Sequence, residues 1–187
     1  MEKIKIVGFA GSLRKESFNK AILTTIKEIT PESVDFEILD LKGIPLYDQD
    51  SEAEMPEAVK EFKRKIKEAD AVIIATPEYN RSIPGVLKNA IDWASRPYGS
   101  NSFDDKAVAT VGASGGAIIG TAVAQYHLRQ IFSFLNAHPL ERPQVFIAGA
   151  GDKISEGVFT DEGTRDILKD LAQKLAEWAI RLKKGKQ

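Results

Sequence analysis

The chain has no cysteine and only two histidines among its 187 residues. Without thiols it cannot form disulfides, thiolate metal sites, iron–sulfur clusters or a cysteine nucleophile. The histidines, His127 and His138, have no cysteine or second histidine close by in the sequence, so we expect no metal site. The absence of cysteine suits a reducing compartment, and we expect a cytoplasmic protein.

An excess of charge of one sign is also missing, since 26 Lys and Arg residues face 27 Asp and Glu residues, giving a net charge of −1. A nearly neutral chain offers no long-range field that would attract nucleic acid. No apolar run approaches the ~20 residues needed to cross a bilayer, and the N-terminus lacks a signal-peptide pattern. We therefore expect neither a nucleic acid nor a membrane as partner.

Short apolar runs alternate with helical patterns along the whole chain. Three of the runs are rich in β-branched residues, as in Val72-Ile73-Ile74, which is typical of parallel strands buried on both faces. The alternation predicts an α/β fold, flavodoxin-like, with a five-stranded parallel sheet of order 2-1-3-4-5 and helices on both faces. We expect one domain over residues 1–187. The predicted strands are 3–9, 34–39, 71–75, 107–112 and 145–148, and the predicted helices are 17–30, 56–69, 83–95, 121–136 and 161–183.

The turn after the first predicted strand carries an unusual set of polar side chains. Ser12, Arg14, Ser17 and Asn19 lie within eight residues, just before and at the start of a helix. Hydroxyl groups, a guanidinium group and the free N–H groups of a helix start are the donors that bind a phosphate dianion. The alternative is a polar turn in which Ser17 only caps the helix.

Two further loops should meet this turn at the carboxyl edge of the sheet, where such folds bind ligands. Pro77-Glu78-Tyr79-Asn80 can present an aromatic face and backbone N–H groups to a flat heterocycle. Ser114-Gly115-Gly116 leaves the backbone bare, so that a ring can approach closely. An ordinary turn remains the alternative for each loop. Together the three loops predict a site for a mononucleotide with a planar ring system, for which flavin mononucleotide (FMN) is the obvious candidate.

The same segments resemble the NADPH-dependent FMN reductase family, in particular its quinone and chromate reductase branch. The resemblance covers nearly the whole chain and rests on residues 11–19, 77–80, 84–93 and 125–130. It implies that the first loop binds the FMN phosphate, that the second lies against the ring and ribityl chain, and that the third lies near the pyrimidine edge. The residues implied to bind the cofactor are Ser12, Arg14, Ser17, Phe18, Asn19, Pro77, Glu78, Tyr79, Asn80, Ser114, Gly115 and Gly116.

The chemistry implied by the resemblance belongs to the flavin, so no side chain is predicted to be catalytic. NADPH or NADH would deliver hydride, and a quinone, free flavin or a chromate-type oxyanion would then take the electrons in a ping-pong cycle. Arg81, which follows the second loop, either meets a phosphate of the nicotinamide dinucleotide or is an ordinary surface arginine. A flavodoxin-type electron carrier and a non-catalytic flavin-binding protein remain alternatives, although such carriers are typically strongly acidic.

Large apolar side chains are concentrated in residues 90–98 and 125–135, beyond what one sheet face can cover. Such an excess predicts a partner surface, and members of the resembling family are usually dimers or tetramers. We therefore expect a homodimer or homotetramer, with filling of the core as the alternative. The residues behind this expectation are Ile91, Trp93, Tyr98, Tyr126, Leu128, Ile131, Phe132, Phe134 and Leu135.

Overall fold

The computed structural model describes residues 3–116 and 120–185. Its main sheet has the strand order β2-β1-β3-β4-β5, and every pair of neighbouring strands is parallel. The predicted flavodoxin-like order is therefore confirmed. The strands of this sheet are β1 (Ile4–Ala10), β2 (Val34–Leu39), β3 (Ala71–Ala75), β4 (Ala107–Ala113), β5 (His138–Pro139) and β6 (Val145–Ile147).

The fifth position of the sheet differs from the prediction, because two short strands share it. Strand β5 pairs with the beginning of β4, and β6 pairs with the end of β4. The sequence predicted only the second of these, at 145–148. Pro139 and Pro143 interrupt this edge, and proline has no N–H with which to continue a strand ladder.

Helices cover both faces of the sheet, as the alternation predicted. Successive residues of a strand point to opposite faces, so Ile73 joins the core under α1 and α5, while Val72 and Ile74 join the core under α2, α3 and α4. In residues 3–116 and 120–185 no helix is long and apolar enough to cross a membrane. The helices are α1 (Phe18–Ile29), α2 (Glu57–Glu68), α3 (Gly85–Ser95), α4 (Ala122–Phe134) and α5 (Glu162–Gly185).

Candidate functional site

The three predicted loops lie side by side, since they follow adjacent strands of the sheet. The Gly11 N–H donates to the Ala75 carbonyl at 2.8 Å, which joins the end of β1 to the end of β3. The Thr76 N–H donates to the Val111 carbonyl at 2.9 Å, which joins the end of β3 to β4. The first loop (residues 11–17), the second (76–84) and the third (114–116) therefore share one edge of the sheet.

The first loop is shaped by its own hydroxyl groups. Ser12 Oγ accepts from the Arg14 N–H at 3.3 Å, and Ser17 Oγ accepts from the N–H groups of Asn19 and Lys20 at 3.2 and 3.4 Å. Ser17 is thus the N-cap of α1, which is the role that the alternative interpretation of this turn predicted. An oxygen that accepts in these bonds still has its hydrogen to donate, so capping and phosphate binding are compatible.

Arg14 lies on the exposed side of the first loop. Its Nη2 donates to the Glu16 carbonyl at 3.1 Å, and its guanidinium carbon lies 5.9 Å from the centre of the Phe18 ring. The half-buried Phe18 ring in turn approaches the third loop, because a Cβ added at Gly115 would lie 3.5 Å from it. The first and third loops are therefore in van der Waals reach of each other.

Asn19 differs from the other residues predicted to bind phosphate in that its side chain bonds to the backbone of a distant strand. It is buried, its Nδ2 donates to the Ala113 carbonyl at 3.1 Å, and its Oδ1 accepts from the Ala113 N–H at 3.0 Å. Both bonds join the start of α1 to the end of β4. The geometry therefore gives the Asn19 side chain a positioning role, holding the first loop against the third.

The second loop ends in a tight two-residue turn. The backbone groups of Tyr79 and Ser82 exchange hydrogen bonds of 3.0 and 2.9 Å across it, and Tyr79 is half-exposed. Asn80 and Arg81 between them have φ angles of 50° and 62°. Two consecutive residues with positive φ are the mark of a type I′ turn, where asparagine followed by glycine is the favoured pair. Arg81 is therefore the unusual residue of the turn.

Glu78 connects the second loop to helix α4. Its side chain is 11% exposed, and Oε2 accepts from the N–H groups of Val123 and Ala124 at 3.0 and 3.2 Å. A carboxylate at a helix N-terminus satisfies orphan N–H groups and complements the helix dipole. Glu78 therefore caps α4 from a distant loop. No local sequence pattern indicates this contact, because the two segments are 45 residues apart.

The third loop is held by the strand beside it. The Ser114 N–H donates to the Ile147 carbonyl at 2.9 Å, and the Ser114 carbonyl accepts from the Ala150 N–H at 3.0 Å. Gly115 and Gly116 are exposed. Bare, exposed backbone next to a fixed residue is what close approach of a flat ring requires.

A buried polar network lies under the second and third loops, and the sequence patterns did not predict it. Gln125 Nε2 donates to Thr121 Oγ1 at 3.1 Å and to the Val145 carbonyl at 2.9 Å, and its Oε1 accepts from Thr110 at 3.2 Å. Gly112 fits against this network only because it has no side chain. A Cβ there would lie 1.8 Å from Thr121 Oγ1 and 2.4 Å from the carbonyl oxygen of Thr76. The glycine at position 112 could have indicated a close approach, but the residues that approach it, Thr76 and Thr121, are distant in the chain.

A groove runs beside the first loop and extends the candidate site. It has a volume of about 780 Å³ and is lined by Arg14, Ser17 and Phe18 on one side and by Ile154 and Gly157 on the other. The latter side is a hairpin of two-residue strands, β7 (Ile154–Ser155) and β8 (Val158–Phe159). Such short strands have no periodicity, so no sequence pattern indicated this side of the groove. Within residues 3–116 and 120–185, His, Asp and Glu form no group of three or more suited to a metal ion.

Comparison with known proteins agrees with this architecture. The NADPH-dependent FMN reductase family matches residues 4–152. An NAD(P)H-dependent FMN reductase of Pseudomonas aeruginosa is 45% identical over 184 residues, covering 97% of this chain and 98% of the relative. A 2-hydroxy-1,4-benzoquinone reductase of a Burkholderia species is 43% identical over 176 residues, covering 94% and 96%.

Among solved structures, the flavoenzyme NAD(P)H:(acceptor) oxidoreductase of Paracoccus denitrificans superposes with a TM-score of 0.87 at 35% identity. The superposition covers 95% of this chain and 98% of that one. The family match includes all four motif segments, 11–19, 77–80, 84–93 and 125–130. The chain belongs to the NADPH-dependent FMN reductase family.

Proposed function

We propose that this protein is an FMN-containing, NAD(P)H-dependent oxidoreductase that reduces quinones, free flavin or other acceptors, including chromate-type oxyanions. The observation that carries the proposal is the meeting of three chemically distinct loops at one edge of the sheet. Hydroxyl and guanidinium groups stand at the first loop, an aromatic turn at the second, and bare backbone at the third. Two relatives that are 43% and 45% identical are named as a 2-hydroxy-1,4-benzoquinone reductase and an NAD(P)H-dependent FMN reductase, which supports the proposal.

The donor set of the first loop fits the phosphate of FMN. Ser12, Arg14 and Ser17 supply two hydroxyls and a guanidinium beside the N-terminus of α1, and the helix dipole there favours an anion. Asn19 contributes by fixing the loop through Ala113. Phe18 and the hairpin of β7 and β8 border the groove in which the phosphate would lie.

The second and third loops fit the isoalloxazine ring. In the proposal Pro77, Glu78, Tyr79 and Asn80 lie along the ring and ribityl chain, and residues 114–116 lie at the pyrimidine edge. Glu78 and the Tyr79–Ser82 pairing hold the second loop in a defined shape, which orients a ring without reorganisation. The side chain and backbone donors are therefore preorganised before any ligand arrives.

When bound, FMN supplies the capacity to accept hydride from NAD(P)H and to pass electrons to the acceptor. The chain itself binds the phosphate, orients the ring and offers backbone N–H groups to negative charge at its pyrimidine edge. No side chain is required as an acid or base. If donor and acceptor bind in turn at the same place beside the second and third loops, the kinetics would be ping-pong, with parallel double-reciprocal lines for NAD(P)H and benzoquinone.

The proposal is tested by the visible spectrum of the purified protein under nitrogen. We expect a yellow protein with one FMN per chain that bleaches with NADPH and regains its colour with benzoquinone. A colourless protein that does not bind added FMN contradicts the proposal. A yellow protein that bleaches with dithionite but not with NADH or NADPH is instead a flavodoxin-type electron carrier.

We also propose that residues 1–187 form one FMN-binding domain. We propose further that this domain functions as a homodimer or homotetramer. A groove of about 810 Å³ lies between α3 and α4, and among its lining residues are Ile83, Ile131 and Phe134. Phe134 is 87% exposed, and Tyr98 is 88% exposed. Ile83, Ile131 and Phe134 lie together in this groove, and an apolar surface that is continuous in this way favours burial by a second copy.

The set of residues expected at this interface needs one correction. Ile91, Trp93, Leu128 and Phe132 are buried in the core of the single chain. Ile91, Leu128 and Phe132 belong to the core under the sheet, whereas Trp93 packs against Tyr47 and donates to the Pro45 carbonyl at 2.9 Å. The proposed interface therefore depends on Tyr98, Tyr126, Ile131, Phe134 and Leu135. Light scattering at low micromolar concentration tests it, since a mass of 20.6 kDa identifies a monomer.

A further inference from the structure

Arg81 has a backbone conformation that arginine seldom adopts. It is the second residue of the two-residue turn between Tyr79 and Ser82, with a φ of 62°. Glycine enters this left-handed region without a steric penalty, whereas an arginine there is strained. A long charged side chain therefore stands at a position whose backbone conformation favours glycine.

The contacts of Arg81 do not compensate this strain. Its side chain is 72% exposed, and among the described residues it forms one ion pair, from Nη1 to Glu78 Oε1 at 3.5 Å. An exposed pair at this distance adds little to folding stability. Glu78 already holds α4 through its other oxygen, so it does not depend on Arg81 for its position. The arginine is therefore not explained by the fold.

The surroundings of Arg81 suggest what its guanidinium binds. The residue directly follows Tyr79 and Asn80, in the loop along which the proposed function places the flavin ring, so a nicotinamide dinucleotide that reached the ring would come close to it. A guanidinium group binds a phosphate dianion with two parallel hydrogen bonds, which an ammonium cannot do. NADPH differs from NADH only by the phosphate on the 2′-oxygen of its adenosine ribose.

We propose that Arg81 binds the 2′-phosphate of NADPH and makes the enzyme prefer NADPH to NADH. The inference rests on the proposed function, since the nicotinamide reaches this loop only if FMN occupies the site. An arginine that meets the 2′-phosphate is also the device by which dinucleotide-binding sheets of other types select NADP. The guanidinium of this left-handed turn is 72% exposed, and its weak pair with Glu78 leaves it available to an anionic ligand.

The test compares Arg81→Gly, Arg81→Lys and the wild type, each loaded with FMN. The oxidised nucleotides NADP⁺ and NAD⁺ are titrated by calorimetry, so that binding is measured without turnover. In Arg81→Gly we expect NADP⁺ to bind about tenfold more weakly, while NAD⁺ changes by less than about twofold, because only the first carries the extra phosphate. Arg81→Lys should fall between the two, since it keeps the charge and loses the fork.

Two further readouts separate this role from a structural one. Glycine relieves the left-handed strain, so the thermal midpoint of Arg81→Gly should equal or exceed that of the wild type. Added salt should weaken NADP⁺ binding more in the wild type than in Arg81→Gly, because the lost contact is ionic. Lys169→Ala, which removes an exposed cation on α5, is the control and should leave both nucleotides unaffected.

Equal weakening of NAD⁺ and NADP⁺ in Arg81→Gly, or no change in either, overturns the assignment of Arg81. In that case an FMN-loaded wild type that still oxidises NAD(P)H leaves the proposed function standing. A wild type that does not bind FMN overturns the proposed function itself, and the assignment of Arg81 falls with it. The spectrum of the wild type therefore distinguishes the two failures before any variant is measured.

Discussion

The candidate site consists of a buried support and an exposed rim, and the two regions are built differently. In the support, the side chains of Asn19 and Gln125 make hydrogen bonds of 2.9 to 3.2 Å to other parts of the chain. At the rim, Arg14 and Arg81 are exposed and have contacts of 3.1 Å to a nearby carbonyl and 3.5 Å to Glu78.

This difference predicts how each region responds to change. Support residues are fixed by close packing and satisfied hydrogen bonds, so changing them costs folding stability and only then binding. Rim residues contribute little to stability, so changing them should alter ligand affinity alone. A support variant that lowered affinity alone, or a rim variant that lowered folding stability, would show that the two regions are not separate.

The largest effect is expected from Gly112→Ala in the support. The added Cβ would lie 1.8 Å from Thr121 Oγ1 and 2.4 Å from the Thr76 carbonyl oxygen, so backbone must move. We expect the free energy of unfolding to fall by about 3 kcal/mol, measured by urea denaturation of the apoprotein. Gly115→Ala is the matched control, because its Cβ meets only the Phe18 ring at 3.5 Å. Similar losses in both variants would contradict the close fit at Gly112.

The second largest effect is expected from Asn19→Ala. The change leaves the buried N–H and carbonyl groups of Ala113 without their partner, which should lower the free energy of unfolding by about 2 to 3 kcal/mol. Thr24→Ala removes an exposed bond one turn further along α1 and should cost far less. If Asn19→Ala lowers FMN affinity while leaving the stability of the apoprotein intact, Asn19 is a direct ligand and not a support.

Arg14→Ala tests the rim of the first loop. It should weaken FMN binding by about 2 kcal/mol, roughly thirtyfold, because one charge-assisted contact to the phosphate is lost. Riboflavin, which has no phosphate, should bind the wild type and the variant equally in fluorescence titrations. Equal weakening of riboflavin and FMN would mean that Arg14 does not contact the phosphate. The unfolding midpoint of the apoprotein should stay within error of the wild type.

The smallest effect on folding is expected from Phe134→Ser, outside both regions. The side chain is 87% exposed, so the stability of the single chain should change by less than about 0.5 kcal/mol. The mass in solution should nevertheless shift toward 20.6 kDa if Phe134 is covered by a second copy. An unchanged oligomer would place the interface elsewhere on the chain.

The two regions also differ in how far the sequence predicted them. The position of the rim was predictable, because Arg14 and Tyr79 lie in short polar segments that follow strands rich in β-branched residues. The support was not, because Gln125, Glu78 and Asn19 act on partners 15 to 94 residues away. Local pattern identifies a strand, a helix or a turn, but it does not show which distant backbone groups a buried amide will satisfy.

The fold shows the same limit at one edge. Strands β1, β3 and β4 were predicted from runs rich in β-branched residues such as Val72-Ile73-Ile74, whose burial on both faces is confirmed. Strand β5 has only two residues and includes Pro139, so neither its length nor its composition could indicate a strand. Its place follows from the pairing with Ala107 and Val108, which only the assembled sheet provides.

A crystal structure of the FMN-loaded protein tests the central claim most directly. The account predicts the phosphate within hydrogen-bond distance of Ser12, Arg14 and Ser17, and the ring between Tyr79 and residues 114–116. Asn19 should remain bonded to Ala113 in that structure. A flavin bound away from these loops, or a phosphate without contact to the first loop, would contradict the account.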